Sequence, residues 1–366
     1  MDYQDYSNSR KALGAPDPGN PNLIARIRSR IREKGRITFA EFMSMVLYDP
    51  DHGYYTSERE IIGTSGDFLT SPAMHPAFGA MVARWLAARW HEMGSPDPFC
   101  VVEMGAGKGL LAAGILAYMR ESIPDIYTAL RYLIIEKGRK WTADERLSAV
   151  AEDKIEVFDS LAHIDADSIV GCFISNELID AFPVHQVTVE GGRLRELYVT
   201  AEDGKFVEET GDPSTPEIPA YFERLCIVLP DGYRTEVNLR APDWMREVGS
   251  KLHGGYVLTI DYGYTAEEYY SPKRRRGTLL CYYRHTYSED PYVRVGLQDI
   301  TAHVDFTSLI NAGREAGLEP VKLTTQREFL LEQGIQERFK GRAVMSLLDP
   351  QGMGGFKVLV QRRVID

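Results

Sequence analysis

The chain has 366 residues, 44% hydrophobic and 26% charged, with a formal net charge of −11 at pH 7. That length buries one large core or two modest ones, and the composition is that of a globular protein without low-complexity blocks. No apolar run approaches the ~18 residues of a membrane-spanning helix, and the acidic balance argues against a broad nucleic-acid-binding face. Cys100, Cys172, Cys226 and Cys281 are scattered. With no C-x-x-C pair among them, free thiols in a reducing compartment are expected and a metal site is not.

Residues 1–21 carry Gly14, Pro16, Pro18, Gly19 and Pro21 and read as a flexible arm. Asp2 and Asp5, with no hydrophobic stretch beside them, fit neither a signal nor a transit peptide. Residues 22–98 read as a helical and lid region. A basic helix is expected from Leu23 to Lys34, ended by Gly35. Thr38 is placed to cap the next helix, TFAEFMSMVLY, with Glu41 at the capping-box position. After a turn at Asp49–Gly53 and the pair Tyr54–Tyr55 comes GTSGDFLTSP, residues 63–72, and then a strong helix from Pro76 to Glu92. A polar loop of this kind is a connector or a lid. As a lid, Gly66, Asp67 and Phe68 lie against a ligand, with the Phe68 ring on a flat group and Ser71 or Thr70 bonding a carboxylate.

The stretch FCVVEMGAGKG, residues 99–109, is a short buried strand that ends in Glu103 and breaks into Gly105, Gly107 and Gly109. A helix starts at Leu110. Strand, glycine turn and helix in this order bring backbone N–H groups up to a ligand with no Cβ in the way. A second apolar run, Tyr132–Ile135, ends in Glu136, and an acid at the end of the second strand accepts the hydroxyls of a ribose. The E-x-G-x-G-x-G pattern differs from the G-x-G-x-x-G of a dinucleotide site and points to S-adenosylmethionine over NAD.

Further strands are expected at 155–158, 168–175, 255–261, 318–325 and 356–362, with helices at 108–120, 139–150 and 177–182. The alternation indicates an α/β fold with a doubly wound parallel sheet. Its core comprises residues 99–185 and 251–366. Ligands on such sheets sit beyond the carboxyl ends of the strands, which puts Gly105, Glu136, Asp159, Asn176 and Asp261 on one edge. The adenine falls near Phe158, Asp159 and Ser160. Residues 186–250 read as an inserted substrate subdomain with a hairpin at Gly191–Gly192. Residues 263–300 form a second insertion, whose run Lys273–Arg276 reads as a solvated turn.

LYDPDHGYY, GTSGDFLTSP, FGAMVARW, VEMGAGKG, SNELIDAFPVHQ, DYGY, RRRGTLLCYYRH, GLQDITAHVDF and MGGFKVL together resemble the MidA family of methyltransferases. That family includes a mitochondrial arginine methyltransferase needed for assembly of respiratory complex I. The resemblance runs from about residue 47 to 360. It implies a class I methyltransferase fold with a seven-stranded sheet, S-adenosylmethionine as methyl donor, and a protein arginine as acceptor. It also favours the lid reading of Gly66–Phe68. A bacterial cytoplasmic protein is the expected version, or a mitochondrial matrix one if the source is eukaryotic; a homodimer is compatible with either.

On the acceptor side stand Asn176, Glu177 and Asp180. If the chain turns helical at Glu177, Glu177 and Asp180 share a face, and two carboxylates orient a guanidinium and take its proton. Otherwise Asn176 merely caps a helix. Asp261 is a second catalytic candidate, with Tyr262 walling the acceptor pocket. His303 and Asp305 are candidate substrate contacts. Two alternatives stay open: a small-molecule N- or O-methyltransferase, and an assembly factor that binds a partner with little turnover.

Overall fold

The computed structural model describes residues 17–57, 67, 69–137, 143–151 and 153–364. Its centre is one seven-stranded sheet. In chain order the strands are β1 (Phe99–Met104), β2 (Leu130–Ile135), β3 (Ile155–Phe158), β4 (Ile169–Asn176), β5 (Leu252–Asp261), β6 (Glu319–Thr325) and β7 (Lys357–Arg363). In space they run β6-β7-β5-β4-β1-β2-β3. β7 lies antiparallel to both its neighbours, and the contiguous block from β5 to β3 is parallel. The seven expected strands are therefore the seven observed, as the class I architecture requires. β1 is buried along its whole length, which is why Phe99–Val102 reads as an apolar run and not as an alternating one; Glu103 lies inside the strand, not at its end.

Helices α1 (Pro21–Lys34), α2 (Phe39–Tyr48), α3 (Ala77–Glu92), α4 (Leu110–Ser122), α5 (Arg240–Lys251) and α6 (Phe306–Glu315) are the long ones. α3 and α4 cover one face of the sheet, in a core with Phe78, Leu86, Leu116, Tyr132 and Leu258. A Cβ on Gly79 would come within 2.7 Å of the Gly114 Cα, so these two helices meet backbone to backbone. α5 and α6 cover the other face through Trp244, Met245, Val248, Phe306 and Leu309. Thr38 caps α2 by accepting from the Glu41 N–H at 3.0 Å.

The second sheet contains His185–Glu190, Arg193–Glu202, Lys205–Gly211 and Arg234–Val237, joined by Ile37–Thr38 from the N-terminal region. Gly191 and Gly192 turn its first hairpin with φ of +57° and +74°. A small three-stranded sheet follows: Leu280–Tyr283, Thr286–Ser288 and Asp299–Thr301.

Four expectations need correction. No helix forms at 177–182: Glu177 takes φ +50°, and the chain proceeds as bends and turns. The inserted sheet ends at Val237, and α5, assigned by sequence to the insertion, belongs to the core. α3, assigned to the N-terminal region, is core as well. Of the arm 1–21, residues 1–16 lie outside the described residues, but its end is tied down. The Asn20 N–H donates to the Val295 carbonyl, and the Arg294 N–H to that of Asp17, both at 2.8 Å.

Candidate active site

The glycine elbow follows β1. Gly105, Gly107 and Gly109 all have positive φ (+68°, +55° and +75°), a conformation side chains with a Cβ rarely adopt. Gly109 is the N-cap of α4, so the helix opens at Leu110 with first-turn N–H groups that have no acceptor within the helix. A Cβ on Gly105 would approach Leu178 Cδ1 to 2.6 Å, so the Leu178 side chain would have to move to admit one. The Gly107 N–H donates to Glu136 Oε2 at 3.0 Å. The elbow and the acid ending the neighbouring strand thus form one unit. Behind them Glu103 is buried and accepts from the Tyr132 hydroxyl at 2.5 Å. Burial pushes its pKa up to about 8, with Glu136 adding to the rise.

The segment after β4 is held by side chains from elsewhere. Asp261, fully buried at the end of β5, accepts the N–H groups of Leu178 (3.2 Å), Ile179 (2.9 Å) and Asp180 (3.4 Å) on Oδ2, and that of Tyr262 (2.9 Å) on Oδ1. Its oxygens face backbone, not a pocket, which corrects its assignment as a catalytic group. What it does is lock the turn that carries Glu177 and Asp180. Glu177 Oε1 accepts from the Ser71 N–H at 3.1 Å and from Asn176 Nδ2 at 3.0 Å. Burial, and to a lesser degree Asp180, raise the Glu177 pKa to about 7. Asp180 accepts from the Tyr262 hydroxyl on Oδ2, while its Oδ1 and Asn176 Oδ1 are buried with no partner. Burial pushes Asp180 and Asp261 both upward. Two orphaned acceptors beside the elbow are what a ligand rich in N–H donors would satisfy.

Other expected contacts fall elsewhere. Gly66 and Phe68 lie outside the described residues. Asp67 is a clasp: it accepts from the Tyr54 hydroxyl at 2.8 Å and the Arg284 N–H at 2.7 Å. Ser71, fully buried, gives its hydroxyl to Gln326 at 3.0 Å. These bonds engage the Asp67 carboxylate and the Ser71 hydroxyl within the protein. Asp159 is exposed at the edge of the sheet beside His163, at 3.1 Å. Asp305 is not a substrate contact but the N-cap of α6, accepting from the Thr307 N–H at 2.9 Å and the Tyr221 hydroxyl at 2.7 Å. Asp305→Ala is therefore expected to cost about 2–4 kcal/mol, from the lost cap and the stranded Tyr221 hydroxyl. Urea unfolding will read that loss, with turnover of the folded fraction unchanged. His303 sits edge-on to Tyr262 with ring centroids 5.1 Å apart. Burial lowers its pKa to about 4, which keeps it neutral.

Four residues that sequence reasoning left without a role gather by Asp180. Tyr48, Tyr54 and Tyr55 lie in LYDPDHGYY and Asp299 in GLQDITAHVDF, motifs that carried the resemblance but gave these four residues no role. Tyr55 donates to both oxygens of Asp299 at 2.9 Å. Among the described residues, no group of three His, Cys, Asp or Glu side chains is arranged to hold a metal.

Residues 81–324 match the family model described as "Putative S-adenosyl-L-methionine-dependent methyltransferase". The chain belongs to this methyltransferase family. A Burkholderia thailandensis protein crystallised with S-adenosyl-homocysteine superposes with a TM-score of 0.85 at 32% identity, covering 97% of this chain and 96% of that one. Among curated proteins, the Drosophila melanogaster "Protein arginine methyltransferase NDUFAF7 homolog, mitochondrial" is 28% identical, over 81% of this chain and 71% of the relative. The Mus musculus NDUFAF7 protein is 27% identical, over 92% and 80%. The family's methyl donor is S-adenosylmethionine, and the bare elbow, the adjoining Glu136 and the orphaned Asn176 Oδ1 fit it. No described helix is long and apolar enough to cross a membrane.

Proposed function

We propose that this methyltransferase acts on a protein arginine side chain, with the donor held at the Gly105–Gly109 elbow and the acceptor at Glu177 and Asp180. The observation that carries the reading is the pairing of an elbow bonded to Glu136 with a locked, carboxylate-bearing turn next to it. The arginine methyltransferase names of the relatives support the acceptor. Their mitochondrial names favour a matrix location if the source is eukaryotic.

Bound S-adenosylmethionine supplies a methyl group on a sulfonium, already an activated electrophile. The chain's task is alignment and exclusion of water. Glu136 takes the two ribose hydroxyls, and Asn176 Oδ1 with the elbow's N–H groups holds the amino-acid end. Glu177 and Asp180 orient the guanidinium, which is charged at neutral pH because its pKa exceeds about 12. The charge of one carboxylate draws the guanidinium's positive charge toward the nitrogen it touches, and the carboxylate beside the nitrogen being methylated takes the proton that nitrogen loses. Asp261 acts through the backbone, as a positioning residue. The left-handed φ of Glu177, a strained choice for a side chain of this kind, is what aims the pair.

Incubation with isotopically labelled donor and host lysate, followed by mass spectrometry, tests the reading. Label on arginine is expected; label confined to a small molecule favours the N- or O-methyltransferase alternative. Glu136→Ala is expected to weaken donor binding about ten- to hundredfold, the value of one or two hydrogen bonds to a charged group. Calorimetry with S-adenosylhomocysteine measures it. Lost turnover with intact donor affinity would misplace Glu136.

A further inference from the structure

The acceptor side holds a further buried carboxylate that the reading above does not use. Asp299 lies on the small inserted sheet, 2% exposed. Tyr55 donates to it, the Tyr55 ring stacks on Tyr48 with centroids 5.5 Å apart, and the Tyr48 hydroxyl donates to the Ala181 carbonyl at 2.8 Å. From the other side the Ala302 N–H donates to the Asp180 carbonyl at 2.9 Å. The strand of Asp299 and the turn of Asp180 are thus bound together at two places. The two carboxylates feel each other: Asp180 is among the causes, after burial, that push Asp299 up to about 8. The Tyr48 hydroxyl feels Asp299, Asp180 and Glu136 together, so the group adjoins the ribose acid.

Neither Asp180 nor Asp299 has an ion-pair partner among the described residues, and Asp180 Oδ1 has no hydrogen-bond partner. Two buried acids that disfavour each other's charge, each steadied by a tyrosine hydroxyl and with no cation beside it among the described residues, cost the free protein stability, whether they stay ionised or take up a proton. A cation between them removes that cost. We propose that Asp299 is a third anchor for the acceptor's guanidinium, gripping it from the inserted sheet while Glu177 and Asp180 grip it from the core. This rests on the arginine reading and deepens it. Discrimination between arginine and its neutral isosteres comes from the Asp180–Asp299 pair, because an uncharged head leaves both acids uncompensated. Tyr55 is a positioning residue that holds Asp299 in place.

The test uses the full chain saturated with S-adenosylhomocysteine. Binding of acetyl-arginine amide and of acetyl-citrulline amide is titrated by ligand-observed NMR, and donor affinity is measured separately by calorimetry. The unsubstituted protein is expected to prefer the arginine probe at least tenfold. Asp299→Asn is expected to remove most of that preference with donor affinity kept within threefold. Tyr55→Phe, which leaves the carboxylate in place, is expected to weaken arginine binding about three- to tenfold, and it serves if Asp299→Asn fails to fold. Full preference in Asp299→Asn alongside its loss in Asp180→Asn overturns the role of Asp299 and leaves the arginine reading standing. Unchanged arginine binding in Tyr55→Phe, where Asp299→Asn cannot be measured, overturns the role as well. No preference in the unsubstituted protein overturns both, while donor affinity still reports the methyltransferase.

Discussion

Gly107→Val will lower affinity for S-adenosylmethionine at least a hundredfold, about 2.8 kcal/mol, in a protein that still folds. Two effects add. Gly107 has φ +55°, and a β-branched residue pays about 1–3 kcal/mol to hold that conformation. The backbone responds by moving toward an extended φ. That takes the Gly107 N–H off Glu136, to which it donates at 3.0 Å, and opens the unit that receives ribose and amino-acid end together. A branched side chain also occupies the space through which the bare backbone meets the ligand. The elbow lies at a strand end outside the main core clusters, so most of the apolar core is untouched and circular dichroism should match the unsubstituted protein. Calorimetry showing ordinary S-adenosylhomocysteine affinity in such a folded variant would remove the elbow from the donor site.

The central strands were legible because β1, β4 and β5 are mostly apolar and buried, a pattern that burial on both faces imposes; the edge strands β3 and β6, half-exposed and carrying Glu156 and Lys322, showed in the sequence only through their short β-branched stretches and place in the alternation. Glu136 was legible for the same reason: it is the first polar residue after such a run. The turn at 177–180 was not. Its spacing fits a helix, but Glu177 takes a left-handed φ of +50°, and the turn that follows is held by Asp261, a carboxylate 82 positions away from Ile179. A contact of that separation leaves no periodic trace. Asp305 carried a local trace in D-F-T-S, an acid whose Oδ1 accepts the N–H two residues on. Its alternation with His303 suggested a site instead. Asp67 and Ser71 stood in a loop with the composition of a lid, yet their partners Tyr54, Arg284 and Gln326 come from three other segments. Tyr55 and Asp299, 244 positions apart, show the same limit. Their motifs were visible, but nothing in either one points to the other.

Asp180→Asn will slow methyl transfer about 10²–10³-fold while donor affinity stays within threefold. The amide keeps the size of the side chain and still accepts the Tyr262 hydroxyl, so the fold survives. It loses the charge that orients a guanidinium and the base that takes its proton, and positioned general bases contribute about 10²–10⁴-fold. The pH dependence gives the sign. Burial raises Asp180 above the ordinary carboxylate range and Glu177 to about 7. Below those values the acids are protonated, neutral and unable to serve. In the unsubstituted enzyme kcat/KM therefore rises with pH through the approach to neutrality. In kcat the same limb sits lower, because a bound cation favours the ionised forms. Asp180 is itself one cause of the raised Glu177 pKa. Removing its charge lets Glu177 ionise more easily, so the residual kcat/KM limb of Asp180→Asn moves to lower pH. A purely structural role for Asp180 predicts the opposite pattern: a weaker protein with the original limb in place. Single-turnover rates with saturating donor, taken across pH in both proteins, distinguish the two, and unchanged turnover would strip Asp180 of its part in the chemistry.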